Sequence, residues 1–439
     1  MSSSNRSDRP GRPPRSPSAP RSPRDAQPGG NRRPQGAQRP RPRTDRDDAP
    51  RTKPRDGERF FATCPRGLEA ALADELTALD ARNARATDGG VAFEGPQSLA
   101  YATNLWSRLA SRILWQVGSC RYRDQQDIFD AALKLPWQRW FAVGDTIRVN
   151  VTAIRSPLAS IDFITLKIKD AVCDRFRIET GVRPSVDTAH PAVRIHAFLT
   201  ADTCTFYLDT SGEALFKRGY RRDALAAPLR ENLAAGMLVL SGWRPGTVLC
   251  DPFCGSGTIL IEAAMIACDI APGHARAFGF ERLSWFDAKA WSGWREAAVT
   301  RETAGRGRAV GGFHGIDIDA TAIEAATSNV AGLGLERLVT LSRGDARTVA
   351  APAPSGIVVT NPPYGIRLGA DDDLRAIYAE FANNLKRQFA GWSAWLLCGE
   401  LSLVKAIRLA PSRKIPLYNG AIECRLVEYR MVAGSNRKP

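Results

Sequence analysis

The chain has 439 residues, of which 44% are apolar and 24% are charged, values that are ordinary for a globular protein with two or three domains. Its net charge of +15 suits a polyanionic partner, although the first 57 residues alone hold +9 of it. No apolar run approaches the roughly 20 residues of a membrane-spanning helix, and the N-terminus lacks the apolar core of a secretory signal, so a membrane protein is excluded and the cytoplasm is expected.

The N-terminal segment, residues 1–59, is predicted to be disordered. It contains no Val, Ile, Leu, Phe, Trp or Tyr and is rich in Pro, Arg, Ser and Asp. Such a segment cannot bury enough apolar surface to offset the entropy lost on ordering. Two interpretations of its charge stay open, a basic arm that attracts RNA and a solubilising extension with no dedicated role.

Two modules of helix-flanked strands are predicted next, at 60–115 and 116–212. The first begins with a short strand, a turn at 65–67 and a helix that carries three leucines on one face. The second contains an alternating strand at 147–153, an amphipathic helix at 160–178 and a hairpin that turns at 200–202. Cations on the solvent side of that helix are Lys167, Lys169, Arg175 and Arg177.

A basic connector at 213–223 follows these modules. It places four cations around one aromatic side chain, a combination that suits phosphate contacts with stacking of a base or ribose. The residues predicted to bind RNA here are Lys217, Arg218, Tyr220, Arg221 and Arg222. Lys167 and Lys169 are a second candidate contact. The alternatives are a solvated linker and an ordinary basic helix face.

The remaining domain, 224–435, alternates helices with apolar strands, which favours a mainly parallel, doubly wound, Rossmann-like sheet. Its predicted strands lie at 247–251, 312–319, 339–345, 356–361 and 393–399, before a hairpin at Asn419-Gly420. An insertion at 269–311 carries Trp285, Trp291 and Trp294. These rings could wall a base pocket or pack in the interior, and both interpretations stay open.

A glycine-rich loop leads from the first of these strands into a helix. The loop residues that we expect to hold a cofactor are Asp251, Phe253, Cys254, Gly255, Ser256, Gly257 and Thr258. Glycine is needed where a ligand lies against bare backbone, and the helix N-terminus offers free N–H groups to a carboxylate. The chain has no phosphate-binding G-x-x-x-x-G-K-[ST] motif, which argues against a nucleotide triphosphatase.

Acidic residues end the next two strands. Asp317, followed by Ile318, can accept hydrogen bonds from both ribose hydroxyls of an adenosyl group. Asp345, followed by Ala346, can accept from the adenine amine. Asp319 is better placed as the N-cap of the following helix. A dinucleotide-binding dehydrogenase would share these features, but it would leave the next motif unexplained.

The tetrapeptide Asn361-Pro362-Pro363-Tyr364 follows the strand at 356–360 directly. The two prolines end strand pairing and stiffen the loop, so the Asn361 side-chain carbonyl and the Pro362 backbone carbonyl can serve as fixed acceptors. An exocyclic base amine is a poor nucleophile, because its lone pair is delocalised into the ring. Two acceptors on its N–H groups free that lone pair for attack on a sulfonium methyl, and Tyr364 offers a flat face for stacking an extruded base. A simple loop-terminating turn is the alternative.

The nine cysteines include no Cys-x-x-Cys pair, and only four histidines accompany them. This pattern predicts free, mostly buried thiols and no metal site. No cysteine follows the two prolines, so the chain lacks the covalent nucleophile that a cytosine-C5 methyltransferase needs.

Together these motifs resemble the THUMP-domain RNA guanine-N2 methyltransferases, above all the N-terminal half of the bifunctional bacterial members that act on 23S rRNA. The resemblance spans about residues 60–431 and rests on FFATCPRGLEAAL, HPAVRIHAFL, LFKRGYR, DPFCGSGTILIEAA, GIDID and NPPYG. It implies a ferredoxin-like module, a THUMP RNA-binding module and a Rossmann-like catalytic domain that uses S-adenosylmethionine. By position, it implies a methionine-moiety loop at Asp251, Gly255 and Gly257, a ribose ligand at Asp317, an adenine ligand at Asp345 and a catalytic motif at Asn361, Pro362 and Tyr364.

The expected activity is methylation of the N2 amine of a guanine in 23S rRNA. Three alternatives stay open: a tRNA guanine-N2 methyltransferase, a DNA adenine-N6 methyltransferase and a non-catalytic RNA-binding assembly factor. The long basic tail and the missing second methyltransferase half depart from the family pattern, and they leave the target nucleotide less determined than the chemistry.

Overall fold

The computed structural model describes residues 57–221, 229–364 and 371–432, all within one compact unit. The predicted tail up to residue 56 and Arg222 of the connector lie outside the described residues. The described part has an α/β architecture with two seven-stranded sheets, which confirms the predicted fold class. None of its helices has both the length and the apolar character needed to span a bilayer.

The first sheet is built from the N-terminal half of the described chain. Its elements are β1 (Glu58–Thr63), α1 (Glu69–Ala78), β2 (Arg82–Thr87), β3 (Gly90–Gly95), α2 (Leu99–Trp106), β4 (Arg112–Arg121), α3 (Gln125–Lys134), β5 (Ile147–Ala153), α4 (Ile161–Thr180), β6 (Val193–Leu199) and β7 (Thr203–Asp209). The strand order is β2-β3-β1-β4-β7-β6-β5, and only β5 and β6 pair in parallel. The predicted helix, strands and hairpin of this region are therefore present.

Local chemistry accounts for most of these elements. Leu68, which directly precedes α1, and Leu72 and Leu76 within it are fully buried, and burying each contributes roughly 2 kcal/mol. Ser160 caps α4 by accepting a hydrogen bond from the Phe163 amide. Strand β2 is the exception that the sequence did not predict. Its six residues are mostly exposed and do not alternate between apolar and polar. They form a strand at the edge of the sheet because they pair with β3.

The two predicted modules share one sheet. Strand β4 pairs with β1 along its first part and with β7 along most of its length. The predicted boundary between residues 115 and 116 therefore falls inside a continuous ten-residue strand. A strand with two free edges can join two modules, so the division by sequence does not mark a break in the hydrogen-bonded structure.

The second sheet belongs to the C-terminal half. Its elements are α5 (Glu231–Ser241), β8 (Leu249–Asp251), α6 (Thr258–Ala267), α7 (Ala288–Arg308), β9 (Phe313–Asp317), α8 (Ala320–Ala331), β10 (Val339–Arg343), β11 (Ile357–Thr360), α9 (Asp371–Gln388), β12 (Ser393–Cys398), α10 (Leu401–Ala406), β13 (Arg413–Asn419) and β14 (Ile422–Arg430). The strand order is β10-β9-β8-β11-β12-β14-β13, with β14 antiparallel to both of its neighbours. The predicted mainly parallel sheet is confirmed. Strands β8 and β11 are buried along their whole length, as expected at the centre of such a sheet.

The insertion between α6 and β9 packs against the first sheet. Trp291 lies 5.8 Å from the Tyr101 ring of α2, and Trp285 lies 6.1 Å from the Trp115 ring of β4, centroid to centroid. Trp294 is partly buried against the same core. These contacts assign the tryptophans to packing between the two halves rather than to the wall of a base pocket.

Candidate functional site

The predicted cofactor loop and the predicted catalytic tetrapeptide meet at the centre of the second sheet. They follow β8 and β11, which are parallel neighbours paired through Leu249 with Ile357 and Cys250 with Val358. The strand order reverses direction between these two strands, and ligands of doubly wound sheets bind at such a switch point. Thr360 Oγ1 donates a 2.6 Å hydrogen bond to Asp251 Oδ1, which ties the two strand ends together.

The loop after β8 adopts backbone conformations that favour glycine. Gly255 has a φ of +51° and Gly257 a φ of +80°, both in the left-handed region. A Cβ atom added at Gly255 would meet no atom within 4 Å, so the loop faces open space. Gly257 directly precedes α6, whose first N–H groups are directed towards the loop. This geometry leaves room for a ligand against bare backbone.

The loop is held from beneath by its neighbours. Cys254 donates its backbone N–H to the carbonyl of Ile316 at 3.0 Å, and the buried Asn329 of α8 donates to the carbonyl of Ser256 at 3.2 Å. The Phe253 ring packs edge-on against Phe381 of α9, at 5.1 Å between centroids. The predicted loop residues therefore divide between those that face open space and those that anchor the loop.

Asp251 is the most strongly perturbed acid at the site. The residue is 1% exposed, and burial raises the pKa of its carboxyl to about 7. Hydrogen bonds from Thr360 and from the Phe253 amide oppose this effect only in part. A cation beside Asp251 would favour its ionised form at neutral pH.

Asp317 ends β9 and joins the loop to the next strand. Its Oδ2 accepts the Gly255 amide at 2.9 Å, and its Oδ1 accepts the Asp319 amide at 3.0 Å. Because each carboxylate oxygen has two lone pairs, both oxygens keep acceptor capacity for a ligand. Asp319 accepts the amide and the hydroxyl of Thr321, so its predicted role as the N-cap of α8 is confirmed. The Ile318 side chain between them is 60% exposed.

Asp345 lies after β10 as predicted, but Arg347 occupies its carboxylate. The guanidinium approaches Oδ2 to 2.6 Å and also donates through Nε, and the Arg347 amide donates at 2.9 Å. These hydrogen bonds hold the pKa of Asp345 below its usual value. Ala346 is buried, and its carbonyl accepts from Asn384 of α9 at 3.1 Å. A contact from Asp345 to an adenine amine stays a prediction, since few of its lone pairs are free.

The Asn361 side chain has the most informative environment at the site. Its carbonyl oxygen Oδ1 is buried and makes no hydrogen bond with any residue that the structure describes. An unpaired buried carbonyl costs about 1 to 3 kcal/mol, so such groups occur where a ligand supplies the missing donor. The sequence predicted an acceptor at this position.

The rest of the tetrapeptide is braced by residues that the sequence analysis did not single out. Tyr378 of α9 donates its hydroxyl to the carbonyl of Pro363 at 3.2 Å. Asn419, the last residue of β13, donates to the Tyr364 hydroxyl at 2.9 Å. Tyr364 is half-buried, and its ring rests on Gly399, where a Cβ atom would approach Cδ2 to 2.5 Å. No local motif marks these partners, because they come from distant parts of the chain.

The cysteines near the site are unsuited to nucleophilic chemistry. Cys250 and Cys254 are buried, and burial raises the pKa of both thiols far above the physiological range. A protonated, enclosed thiol is a poor nucleophile. All nine cysteines are free, and eight of them are buried.

The connector differs from the prediction. Arg218 is 1% exposed and donates to Glu262 of α6 at 3.3 Å and to the carbonyl of Arg108 at 2.6 Å. Tyr220 is also buried. The predicted RNA contact is therefore wrong for both residues, because the connector closes the junction between the two halves instead of crossing solvent. Lys217 is exposed and pairs with Glu213.

Three further residues predicted to bind RNA have partners within the protein. Arg221 donates to the carbonyl of Leu229 at 3.0 Å and to Thr258 Oγ1, at the start of α6, at 3.2 Å. On α4, Lys167 lies 5.4 Å from the Phe129 ring centroid, and Lys169 pairs with Asp170 at 2.7 Å. Lys167 and Lys169 thus keep an RNA role only as a prediction.

Comparison with known proteins identifies three domains. Residues 59–114 match the RlmL ferredoxin-like domain, residues 122–209 match the THUMP domain, and residues 218–428 match the RMKL-like methyltransferase domain.

Full-length relatives agree with these domain matches. The chain is 40% identical over 384 residues to the ribosomal RNA large subunit methyltransferase K/L of Shewanella baltica, covering 86% of this chain and 54% of the relative. It therefore spans about half the length of the curated relatives it matches. Among solved structures, SMU.472 in complex with SAH is 30% identical, with a TM-score of 0.76 over 87% of this chain and 100% of that one. A Listeria monocytogenes protein described as a predicted N6-adenine-specific DNA methylase is also 30% identical, with a TM-score of 0.77 over 86% of this chain and 97% of that one.

These matches cover both sheets and include the loop and the tetrapeptide that converge at the switch point. The chain therefore belongs to the family of methyltransferases in which an RMKL-like catalytic domain follows a THUMP domain and a ferredoxin-like domain.

Proposed function

We propose that this chain transfers a methyl group from S-adenosylmethionine to the exocyclic N2 amine of a guanine in 23S rRNA, in the cytoplasm. The observation that carries the proposal is the buried, unpaired Oδ1 of Asn361 beside the cofactor loop. A substrate amine would supply the hydrogen-bond donor that this oxygen lacks. RNA is the macromolecular partner in this proposal.

The residues at the switch point fit an adenosyl cofactor. Asp251 would pair with the cofactor's ammonium group, the open backbone at Gly255 would accept its methionine moiety, and Asp317 would accept hydrogen bonds from its ribose hydroxyls. When bound, S-adenosylmethionine supplies an electrophilic methyl group on a sulfonium. The SMU.472 relative was solved with SAH, the product that remains after such a transfer.

The chain's own residues would act mainly by gripping and aligning the amine. Asn361 Oδ1 and the backbone carbonyl of Pro362 would each accept one amine N–H. This grip favours the pyramidal amine, whose lone pair is then free to attack the methyl carbon. Tyr364 would stack against the extruded base. No general base is required, because the methylated amine is strongly acidic until it releases its proton to solvent.

The choice of RNA and of guanine rests on relatives. The Shewanella relatives are named for ribosomal RNA of the large subunit, and the THUMP match is typical of RNA-modifying proteins. A DNA adenine-N6 activity is the second candidate, because the Listeria neighbour carries that description and the same two acceptors could grip the adenine amine. A tRNA guanine-N2 activity shares both the chemistry and the domains.

Mass spectrometry of nucleosides separates these candidates. The gene is deleted in its host, and N2-methylguanosine is quantified separately in 23S rRNA fragments and in tRNA, together with N6-methyladenine in DNA. Loss from 23S fragments, restored by the wild-type chain but not by Asn361→Ala, supports the proposal. Loss confined to tRNA would assign the activity to tRNA, and loss confined to N6-methyladenine would assign it to DNA. Unchanged nucleosides in all three pools would refute the proposal and both of these candidates.

A further inference from the structure

The first sheet has one face covered by helices and one face that carries polar and aromatic side chains. Along β5 and β6, Val149, Ile195 and Ala197 are buried on the covered side, towards α3 and α4. Since side chains alternate along a strand, the residues between them point the other way. The pairing of Arg148 with Arg194 and of Asn150 with His196 places these four side chains together on that second side, here called the open face.

A cleft of about 660 Å³ lies on the open face, next to the connector. The lining residues that matter are Arg112, Arg148, Asn150, Arg194, His196 and Lys217. They come from β4, β5, β6 and the connector, so only the folded sheet brings them together. The volume lies within the range of ordinary ligand clefts.

The cleft carries excess positive charge. Arg194 and Lys217 share one carboxylate, Glu213, at 2.7 Å and 2.8 Å, which leaves that group with a net positive charge. Arg148 donates to the carbonyl of Thr188 at 2.6 Å and has no carboxylate partner among the residues that the structure describes. The lining cation Arg112 pairs with the buried Asp209, whose Oδ2 also lies 3.5 Å from His196 Nε2. Four cations of the cleft therefore face two carboxylates, which leaves a net positive charge. Cations that the protein leaves uncompensated in a cleft favour a polyanionic ligand.

Aromatic rings continue the open face beyond the cleft. Tyr207 of β7 lies directly opposite His196 in the sheet, and the Phe61 ring of β1 lies 6.3 Å from the Tyr207 ring. Both residues are half-buried, in contrast to their fully buried neighbours along each strand. Rings beside cations on a sheet face suit unpaired nucleotides, since bases stack on the rings while phosphates pair with the cations.

We propose that the open face binds an unpaired stretch of the substrate RNA, with its phosphates on Arg148, Arg194 and Lys217 and a base on Tyr207 or Phe61. This inference rests on the proposed function and assigns its RNA contact. It places the RNA on the side of the sheet that faces away from α4. The cations Lys167 and Lys169, which the sequence predicted to bind RNA, lie on α4 and therefore on the other side. A duplex fits less well, because its stacked bases cannot reach the rings.

The cleft is attached firmly to the catalytic half. Arg276, from the insertion, donates to the backbone carbonyls of Glu213 at 2.6 Å and Ala214 at 2.7 Å. Four residues beyond Lys217, Arg221 reaches the first residue of α6, the helix that follows the cofactor loop. Four peptide units span at most about 14 Å. An RNA strand bound in the cleft would therefore lie at a fixed and short distance from the domain that carries the predicted catalytic tetrapeptide.

The test compares cations on the two faces. Arg148→Ala and Arg194→Ala alter the open face, and Arg177→Ala alters an exposed cation on α4 as the matched control. For each full-length variant, binding of a fluorescent 12-nucleotide unstructured RNA is measured by anisotropy at several salt concentrations. Affinity for S-adenosylmethionine, measured by calorimetry, reports whether the catalytic half is intact.

We expect each open-face variant to bind the RNA about tenfold or more weakly, and the slope of log affinity against log salt to fall by about 0.7 per lost phosphate contact. Arg177→Ala and the cofactor affinity should not change. Open-face variants that bind RNA as tightly as wild type would overturn the inference while leaving the proposed function in place. Wild-type protein that does not bind this RNA would also overturn the inference, whereas the proposed function fails only if the nucleoside analysis fails.

Discussion

Replacing Asn361 with alanine separates the proposed catalytic role of this residue from any structural role. In the described structure its Oδ1 is buried and unpaired, so the side chain lowers the stability of the free protein. If a substrate amine is the missing donor, the residue contributes only when the substrate is bound. Asn361→Ala should therefore lose activity without losing stability.

The two magnitudes follow from the same hydrogen bond. An acceptor to an amine that becomes cationic in the transition state contributes about 1.5 to 3 kcal/mol, which predicts a fall in kcat of roughly 10- to 150-fold. The unpaired carbonyl costs about 1 to 3 kcal/mol in the free protein. Its removal, offset in part by lost packing, should leave the unfolding free energy unchanged or raise it by about 1 kcal/mol.

Asn104 of α2 provides a matched control. It is also buried, but its amide donates to the carbonyl of Ala100 and to Thr210, and its Oδ1 accepts from Ser211 at 2.6 Å. Asn104→Ala breaks these bonds and should cost about 2 to 4 kcal/mol of stability. Because Asn104 lies away from the candidate functional site, kcat per folded molecule should be unchanged.

Three measurements check this prediction: single-turnover methylation of an RNA substrate, calorimetric affinity for S-adenosylmethionine, and thermal unfolding. Asn361→Ala should keep its cofactor affinity, keep or raise its melting temperature, and lose most of its turnover. A variant that keeps more than half of the wild-type rate would refute the acceptor role. A variant that melts as early as Asn104→Ala would show that the amide supports the fold instead.

Three further predictions concern the surroundings of the site. Burial raises the pKa of Asp251 to about 7. Between about pH 4 and 7 the Asp251 carboxyl is therefore protonated in the folded protein and ionised in the unfolded chain. The free energy of unfolding consequently falls as the pH rises through this range. In urea unfolding, the stability of Asp251→Asn relative to wild type should therefore increase from pH 4 to pH 8, and a constant difference would contradict the assignment. Gly255→Ala adds a Cβ atom in open space at a positive φ, so the free energy of unfolding should fall by only about 1 kcal/mol. Cofactor affinity should fall about tenfold, because the added atom occupies the space proposed for the ligand. Unchanged cofactor affinity in calorimetry would show that Gly255 does not line the cofactor site. Arg218→Met removes the ion-pair partner of the buried Glu262 carboxylate, so urea unfolding should show a loss of about 3 kcal/mol. A second change, Glu262→Leu, should restore much of this loss. An Arg218→Met protein as stable as wild type would mean that this ion pair does not hold the junction.

Much of the catalytic half could be predicted from the sequence. The apolar strands, the glycine loop and the strand-end residues Asp251, Asp317 and Asn361 are encoded in short segments. A strand followed by a glycine turn and a helix leaves few alternatives for the local backbone. Because parallel strands place their carboxyl ends at one edge, motifs far apart in the chain could be expected to meet.

The connector shows where the same approach failed. Its run of cations around Tyr220 looked like a solvated RNA contact, yet Arg218 is enclosed between α6 and the first sheet. A short sequence does not show which of its cations will find a buried carboxylate, because Glu262 is 44 residues away. The same limit applies to Asp345, whose occupation by Arg347 depends on local rotamers and on Glu380 of α9.

The amino-acid sequence by itself determined the elements of the methyltransferase domain and the residues on which the proposed chemistry depends, since periodicity, glycine positions and strand-end acids act over a few residues. Only the tertiary structure decided which cations are enclosed, that two predicted modules share one sheet through β4, and that Arg148, Arg194 and Lys217 converge on its open face. The physical reason is that burial and charge pairing depend on partners distant in the chain, and folding alone selects those partners.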